Sequence, residues 1–221
     1  MGGRVSTPSW RNRDIGKADS HAAFKNLTHL NNENAKPIFL YITSTEEEMA
    51  QKVATYEDSI LVNEKICIAA KFFDCYQVDV TDMDEEHPLR KMIKKPKPLT
   101  FYTLYKGEII SNTEEKPSVS TLFSACSRTL KKSHQVSLDK VTKEEIKILD
   151  ELDKIAREME KIGEVRIKKG DKISSSEDQT LRKKEEKLLQ RESELKLKES
   201  RLLELEGYGR TSKTTDRKSV V

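Results

Sequence analysis

Lys36-Pro37-Ile38-Phe39-Leu40-Tyr41-Ile42 is the stretch on which the fold turns. From Ile38 to Ile42 it is apolar without interruption and rich in β-branched and aromatic types. A half-exposed strand alternates apolar with polar residues. A short continuous run instead predicts a strand covered on both faces, at the centre of a sheet with helices on each side. Ser44 or Thr45 follows, then Glu46-Glu47-Glu48. A hydroxyl ahead of acids predicts a helix start: the oxygen caps free N–H groups and the acids face the positive end of the dipole. Met49, Val53 and Tyr56 supply that helix with an inward face.

Working outward, residues 59–72 hold Ile60, Leu61, Val62, Ile66, Ile68 and Ala69, which predict a turn and a short second helix. Phe73–Val80 is the next strand. Leu89–Ile93 forms a short helix, stopped by Pro96 and Pro98, neither of which has an N–H to donate. Leu99–Tyr105 is a third strand, Lys106-Gly107 a tight turn, and Glu108–Ile110 a fourth strand in a hairpin with it. Pro117–Leu130 is a further helix, with Pro117 suited to its first turn. The order is strand, helix, strand, helix, hairpin, helix.

Three short motifs carry a family resemblance over residues 36–132. Lys36–Leu40 resembles the first core strand of thioredoxin-like proteins, and Gln77-Val78-Asp79-Val80 resembles their second. Pro98-Leu99-Thr100-Phe101 followed by Lys106-Gly107-Glu108 resembles their cis-proline, third strand and hairpin glycine. The resemblance implies an α/β thioredoxin-like sandwich, a central mixed sheet flanked by helices. It also implies a redox cysteine pair just after the first strand, where a helix N-terminus lowers the thiol pKa. That place reads Ser44-Thr45-Glu46-Glu47-Glu48-Met49, without cysteine. The expectation is therefore a redox-inactive, non-catalytic protein- or peptide-binding scaffold. By the resemblance its groove is lined by Thr45, Glu46, Met49, Pro98 and Leu99, with Pro98 cis; a proline that merely shapes the start of the strand is an equal reading.

The cysteines Cys67, Cys75 and Cys126 lie in apolar stretches and read as small buried hydrophobes. An oxidoreductase using Cys67 or Cys75 is the alternative. An odd, sparse cysteine count argues against a disulfide framework and points to a reducing, cytoplasmic location. His21, His29, His87 and His134 are scattered through polar stretches without metal-ligand spacing. Asp79, Asp82, Asp84, Glu85 and Glu86 form an acidic loop lacking the glycine and alternation of a calcium loop, and read as a solvated turn. No glycine-rich phosphate loop is present, and neither cofactor nor metal is expected.

Beyond Ser137 the pattern changes, and residues 138–206 read as charged helices. Ile148, Leu152, Ile155, Met159 and Ile162 recur at spacings of four and three, an apolar seam on one helix face. Gly170, Asp171 and Ser174–Ser176 break the run, and Ser176 followed by Glu177-Asp178-Gln179 restarts it as a helix cap. Leu181, Leu188, Leu195 and Leu202 follow seven apart, with Leu189, Leu203 and Leu205 beside them. Glu185, Glu192 and Glu199 at the intervening seam positions make this a weak zipper. An antiparallel hairpin within the chain and pairing with another chain both remain open. A lone solvated helix is disfavoured, because packing supplies most helix stability. The expected partner is thus a protein, or a second copy, held through these helices.

Composition sets outer limits. Of 221 residues 36% are charged and 35% hydrophobic, too polar for the whole length to share one core. Lys+Arg 41 against Asp+Glu 38 gives a net charge of +3, with the signs interleaved rather than gathered into a basic face, so nucleic acid is not an expected partner. No apolar run approaches a membrane span. Residues 1–35, with Trp10, and residues 207–221 read as disordered. Met1-Gly2 with Ser6 matches the loose myristoylation pattern, and Ser219-Val220-Val221 resembles a carboxylate-terminal ligand; chance matches to both are common, and an ordinary polar terminus is the reading taken.

Overall fold

In the computed structural model, residues 36–83 and 85–204 are described. The expectations for residues 1–35 and 207–221, and for Asp84 and Leu205, lie outside them. The chain divides into two units, one ending at Asp139 and the other running from Lys140 to Glu204.

In the first unit β1 (Ile38–Thr43) leads into α1 (Glu47–Ile60) and α2 (Glu64–Ala70). β2 (Asp74–Asp79) then passes through a single 3-10 turn to α3 (Pro88–Met92), the hairpin β3 (Thr100–Tyr105) and β4 (Glu108–Asn112), and α4 (Val119–His134). The sheet order is β2-β1-β3-β4. β1 runs parallel to β2, from Ile38 beside Asp74 to Thr43 beside Asp79. It runs antiparallel to β3, with Ile42 opposite Thr100. The expected α/β class and mixed sheet are thus the architecture observed.

β1 is central and every residue of it is buried, which is why it alone carries an unbroken apolar run. Ile38, Leu40 and Ile42 pack with Val78, Leu104, Met83, and Leu89 and Ile93 of the α3 region. The opposite face is aromatic: Phe101 stacks on Tyr41 at 4.5 Å and on Phe39 at 5.3 Å, with Tyr56 of α1 tilted against it at 6.2 Å. α4 lies against α2, β3 and β4, and its Thr129 hydroxyl meets that of Thr103 at 2.7 Å. Lys106 and Gly107 both have positive φ, the mirror-image turn whose twist suits a two-residue hairpin loop. Gln135, also at positive φ, closes α4 with its N–H on the Leu130 carbonyl.

The second unit consists of α5 (Leu138–Lys169, whose first two residues belong to the first unit), a short 3-10 turn (Gly170–Lys172), and α6 (Ser175–Leu203). Ser174 caps α6 by accepting the Glu177 N–H, so the restart lies two residues ahead of the expected Ser176. Gly170, at positive φ, sits where the chain reverses. No helix of the described residues is long and apolar enough to cross a membrane.

Candidate functional site

Two places follow from the sequence: the end of β1 with the start of α1, and the seam of the long helices. At the first, the helix begins later than its hydroxyls suggest. Glu46, not Ser44 or Thr45, is the N-cap of α1, and its side chain makes no capping bond. The reason is tertiary. The Thr45 amide is committed to Asp79 Oδ2 at 2.7 Å, at the end of β2, and the Ser44 hydroxyl accepts the Glu46 N–H at 3.2 Å. Asp79 Oδ1 accepts from the Thr81 amide at 2.8 Å and the Thr81 hydroxyl at 2.7 Å. Partial burial pushes the Asp79 carboxyl up, but these bonds outweigh it and hold the group below the ordinary aspartate range. One carboxylate therefore ties the β1–α1 turn to the turn after β2. The sequence reading assigned Asp79 to a solvated acidic loop; its position as the last residue of a strand parallel to β1 was the signal available.

The β1–β3 register brings the segment before Thr100 alongside this turn. The Leu99 N–H donates to the Ile42 carbonyl at 2.7 Å, and the Leu99 carbonyl accepts the Lys116 N–H at 2.9 Å. Leu99 has φ of 60°, a conformation that costs a bulky side chain energy, and those two bonds with full burial hold it there. Two expectations change. No peptide bond among the described residues is cis, so Pro98 is trans. Leu99 is 0% exposed, so its side chain belongs to the core rather than to a surface groove. Thr45 and Glu46 are exposed, and Met49 and Pro98 are half-buried. The concavity beside Pro98, about 390 Å³, is lined by Lys95, Lys97, Thr100, Tyr102, Thr113, Glu114 and Glu115, and includes none of the five expected groove residues.

All three thiols are free and buried: Cys67 is 2% exposed, Cys75 4% and Cys126 0%. The Cys67 thiol donates to the Leu61 carbonyl at 3.2 Å, and burial raises its pKa. Burial likewise pushes Cys126 up, with the neighbouring Cys75 adding to it. Such thiols are the reverse of the depressed, accessible kind that exchange needs. His87, expected in a polar stretch, is fully buried, and its Nδ1 accepts the Leu89 N–H at 3.2 Å as the cap of α3. Among the described residues no group of three or more His, Cys, Asp or Glu is arranged to hold a metal ion.

In the second unit the seam closes within the chain. Ile148, Ile155 and Leu195 form a buried cluster, with Leu152, Met159, Leu188 and Leu202 packed against it. Ile162 is buried and Leu181 half-buried. Ion pairs cross the hairpin from its closed end outward: Lys169–Glu177, Arg166–Glu185 at 2.8 Å, Lys184–Glu158 at 3.0 Å, Arg191–Glu151 at 2.7 Å and Lys198–Glu144 at 3.4 Å. Apart from the adjacent Glu185 and Lys184, their numbers rise along α6 as they fall along α5, which makes the pair antiparallel. The seam glutamates find cations beside them: Glu185 pairs with Arg166, and Glu192 with Lys196 at 2.5 Å. Leu189 and Leu197 stay about half exposed, and Ile167 is 83% exposed.

Family models, curated proteins and solved structures yield no match to this chain.

Proposed function

We propose that this chain is a thioredoxin-like module without exchange chemistry, serving as a protein- or peptide-binding scaffold whose helical hairpin contributes to assembly. The sheet order β2-β1-β3-β4, with one parallel and two antiparallel pairings, supports the thioredoxin-like reading. One observation carries the functional reading. The turn between β1 and α1, where a redox pair would sit, is filled by Ser44, Thr45 and Glu46, its Thr45 amide is bound to Asp79, and every thiol is buried elsewhere. Free thiols of this kind also favour a reducing, cytoplasmic setting. Leu189 and Leu197, about half exposed on α6, are the apolar positions through which the hairpin would meet a second copy or a partner.

The test of the chemistry is reduction of insulin disulfides in the presence of dithiothreitol. The expected rate equals that without protein. Turnover that disappears in Cys67→Ser or Cys75→Ser would establish the oxidoreductase alternative instead. The test of assembly is the solution mass of the full chain against a chain ending at residue 137. A larger assembly for the full chain alone places association in the helices. Equal monomeric masses, with a partner still retained by the shorter chain, place binding in the sheet unit.

A further inference from the structure

We propose that the cavity between β4 and α4 is a binding site for an oxyanion, a carboxylate or phosphoryl group, with Arg128 as its charged anchor. The cavity is about 320 Å³ and is lined by Ser111, Asn112 and Thr113 from β4 and the residues after it, and by Ser120, Thr121, Ser124, Ala125 and Arg128 from α4. No lining residue is a carboxylate. The Arg128 guanidinium donates to the Ser111 hydroxyl at 3.3 Å, its one hydrogen bond among the described residues. That bond ties one end of the exposed Arg128 guanidinium to a buried serine in the cavity wall, and its other N–H groups can serve a ligand. A guanidinium fork suits two oxygens of one anion better than a point-charge ammonium does. The hydroxyls of Ser111, Ser120, Thr121 and Ser124 complete the donor set, that of Thr113 being committed to the Phe101 backbone. The Ser118 hydroxyl meets those of Ser120 at 2.8 Å and Thr121 at 3.0 Å, while capping the Thr121 amide. This wall runs along a 16-residue helix from Ser120 and Thr121 in its first turn to Arg128 in its third, and the dipole favours negative charge at the Ser120 end. Lys132, one turn beyond Arg128 along α4, pairs with Glu108 at 3.9 Å between exposed side chains.

The inference does not rest on the proposed scaffold function; it concerns the β4 edge of the sheet rather than the turn that follows β1. β4 has a strand neighbour on one side only among the described residues, so both a free anion and an extended acidic segment can reach the cavity.

The experiment uses the full chain labelled with ¹⁵N, at ionic strength fixed with chloride so that general screening is constant. It is titrated separately with inorganic phosphate, with acetate, and with a capped tetrapeptide carrying one phosphoserine. Saturable shifts are expected at Ser111–Thr113, Thr121–Arg128 and the Arg128 Nε. They should weaken about tenfold or more in Arg128→Gln, and less in Arg128→Lys, which keeps the charge without the fork. Tighter binding of the peptide than of phosphate assigns the oxyanion to a polypeptide. Equal binding assigns it to a free anion, and a response to acetate extends the site to carboxylates. Each of these places the anion in the cavity. Should Arg128→Gln misfold, Ser124→Ala serves as the second variant and should reduce affinity at the same resonances. Absence of saturable shifts with all three probes, or shifts left unchanged by Arg128→Gln, overturns the proposal.

Discussion

Replacing Asp79 with asparagine is the most direct perturbation of the turn after β1. The carboxylate accepts from the Thr45 amide and from the amide and hydroxyl of Thr81, at 2.7–2.8 Å. An asparagine side chain keeps one oxygen and turns an NH₂ toward whichever amide faced the other. At least one donor then meets a donor. A hydrogen bond to a charged acceptor contributes roughly 1.5–3 kcal/mol when well shielded. These bonds are solvent-accessible, so screening and competing water bring the loss on substitution to about 1–2 kcal/mol. The pH dependence has a definite sign. Burial raises the Asp79 carboxyl but the hydrogen bonds lower it further, so its folded pKa lies below the unfolded value. Its contribution is fully present above an unfolded pKa of about 3.9 and is lost as pH falls through the folded value. In the variant that acid-side loss is absent. The assay is the urea midpoint of Asp79→Asn against wild type from neutral to acid pH, with hydrogen exchange at the Thr45 amide. Asp82→Asn is the control. A wild-type midpoint, or unchanged protection of Thr45, would refute the claim that Asp79 holds the turn.

Burial lowers the His134 pKa although the residue ends a helix, where the dipole would favour a cation. Stability should therefore be complete above about pH 6.5 and decline as pH falls through the unfolded pKa toward the folded one; His134→Asn should flatten the urea midpoint across that window. Tyr56→Phe removes the donor to the buried Pro117 carbonyl, a bond of 2.7 Å, and should cost about 1–3 kcal/mol in chemical denaturation. Leu195→Ala empties the middle of the hairpin seam, where two helices can partly close over the gap, and should cost about 2–3 kcal/mol, seen as faster amide exchange in α5 and α6. All three cysteines should alkylate slowly in the folded chain at neutral pH and quickly in denaturant.

Much of the fold was legible because its signals are local. Ile38–Ile42 announces a strand buried on both faces by having no polar position to turn outward. Lys106-Gly107 announces a two-residue turn, and Pro96 and Pro98 close off the helix before them, each through its own backbone preference. The tail was legible as two helices for the same reason: its apolar residues recur at helical spacing. Periodicity alone left the choice between a hairpin and pairing with another chain. In the structure the helices close on each other within the chain, and each ion pair that crosses the hairpin sets a cation on one helix opposite a carboxylate on the other.

The candidate sites were less legible because non-local bonds build them. Ser44 and Thr45 have the composition of a helix cap, and capping preference is a rule about neighbours in sequence. Asp79 lies 34 positions away, yet the parallel pairing of β1 with β2 sets it beside Thr43, and it takes the Thr45 amide. The helix then starts at Glu47. Leu99 is a similar case. A leucine after a proline reads as the first residue of a strand, but its N–H goes to Ile42 and its carbonyl to Lys116, and between them they fix a positive φ that leucine disfavours. The same holds for Arg128 and Ser111, 17 apart, whose contact shapes the cavity between β4 and α4. Residues that define a concave surface come from different elements, so the register of the sheet has to be known before their chemistry can be combined.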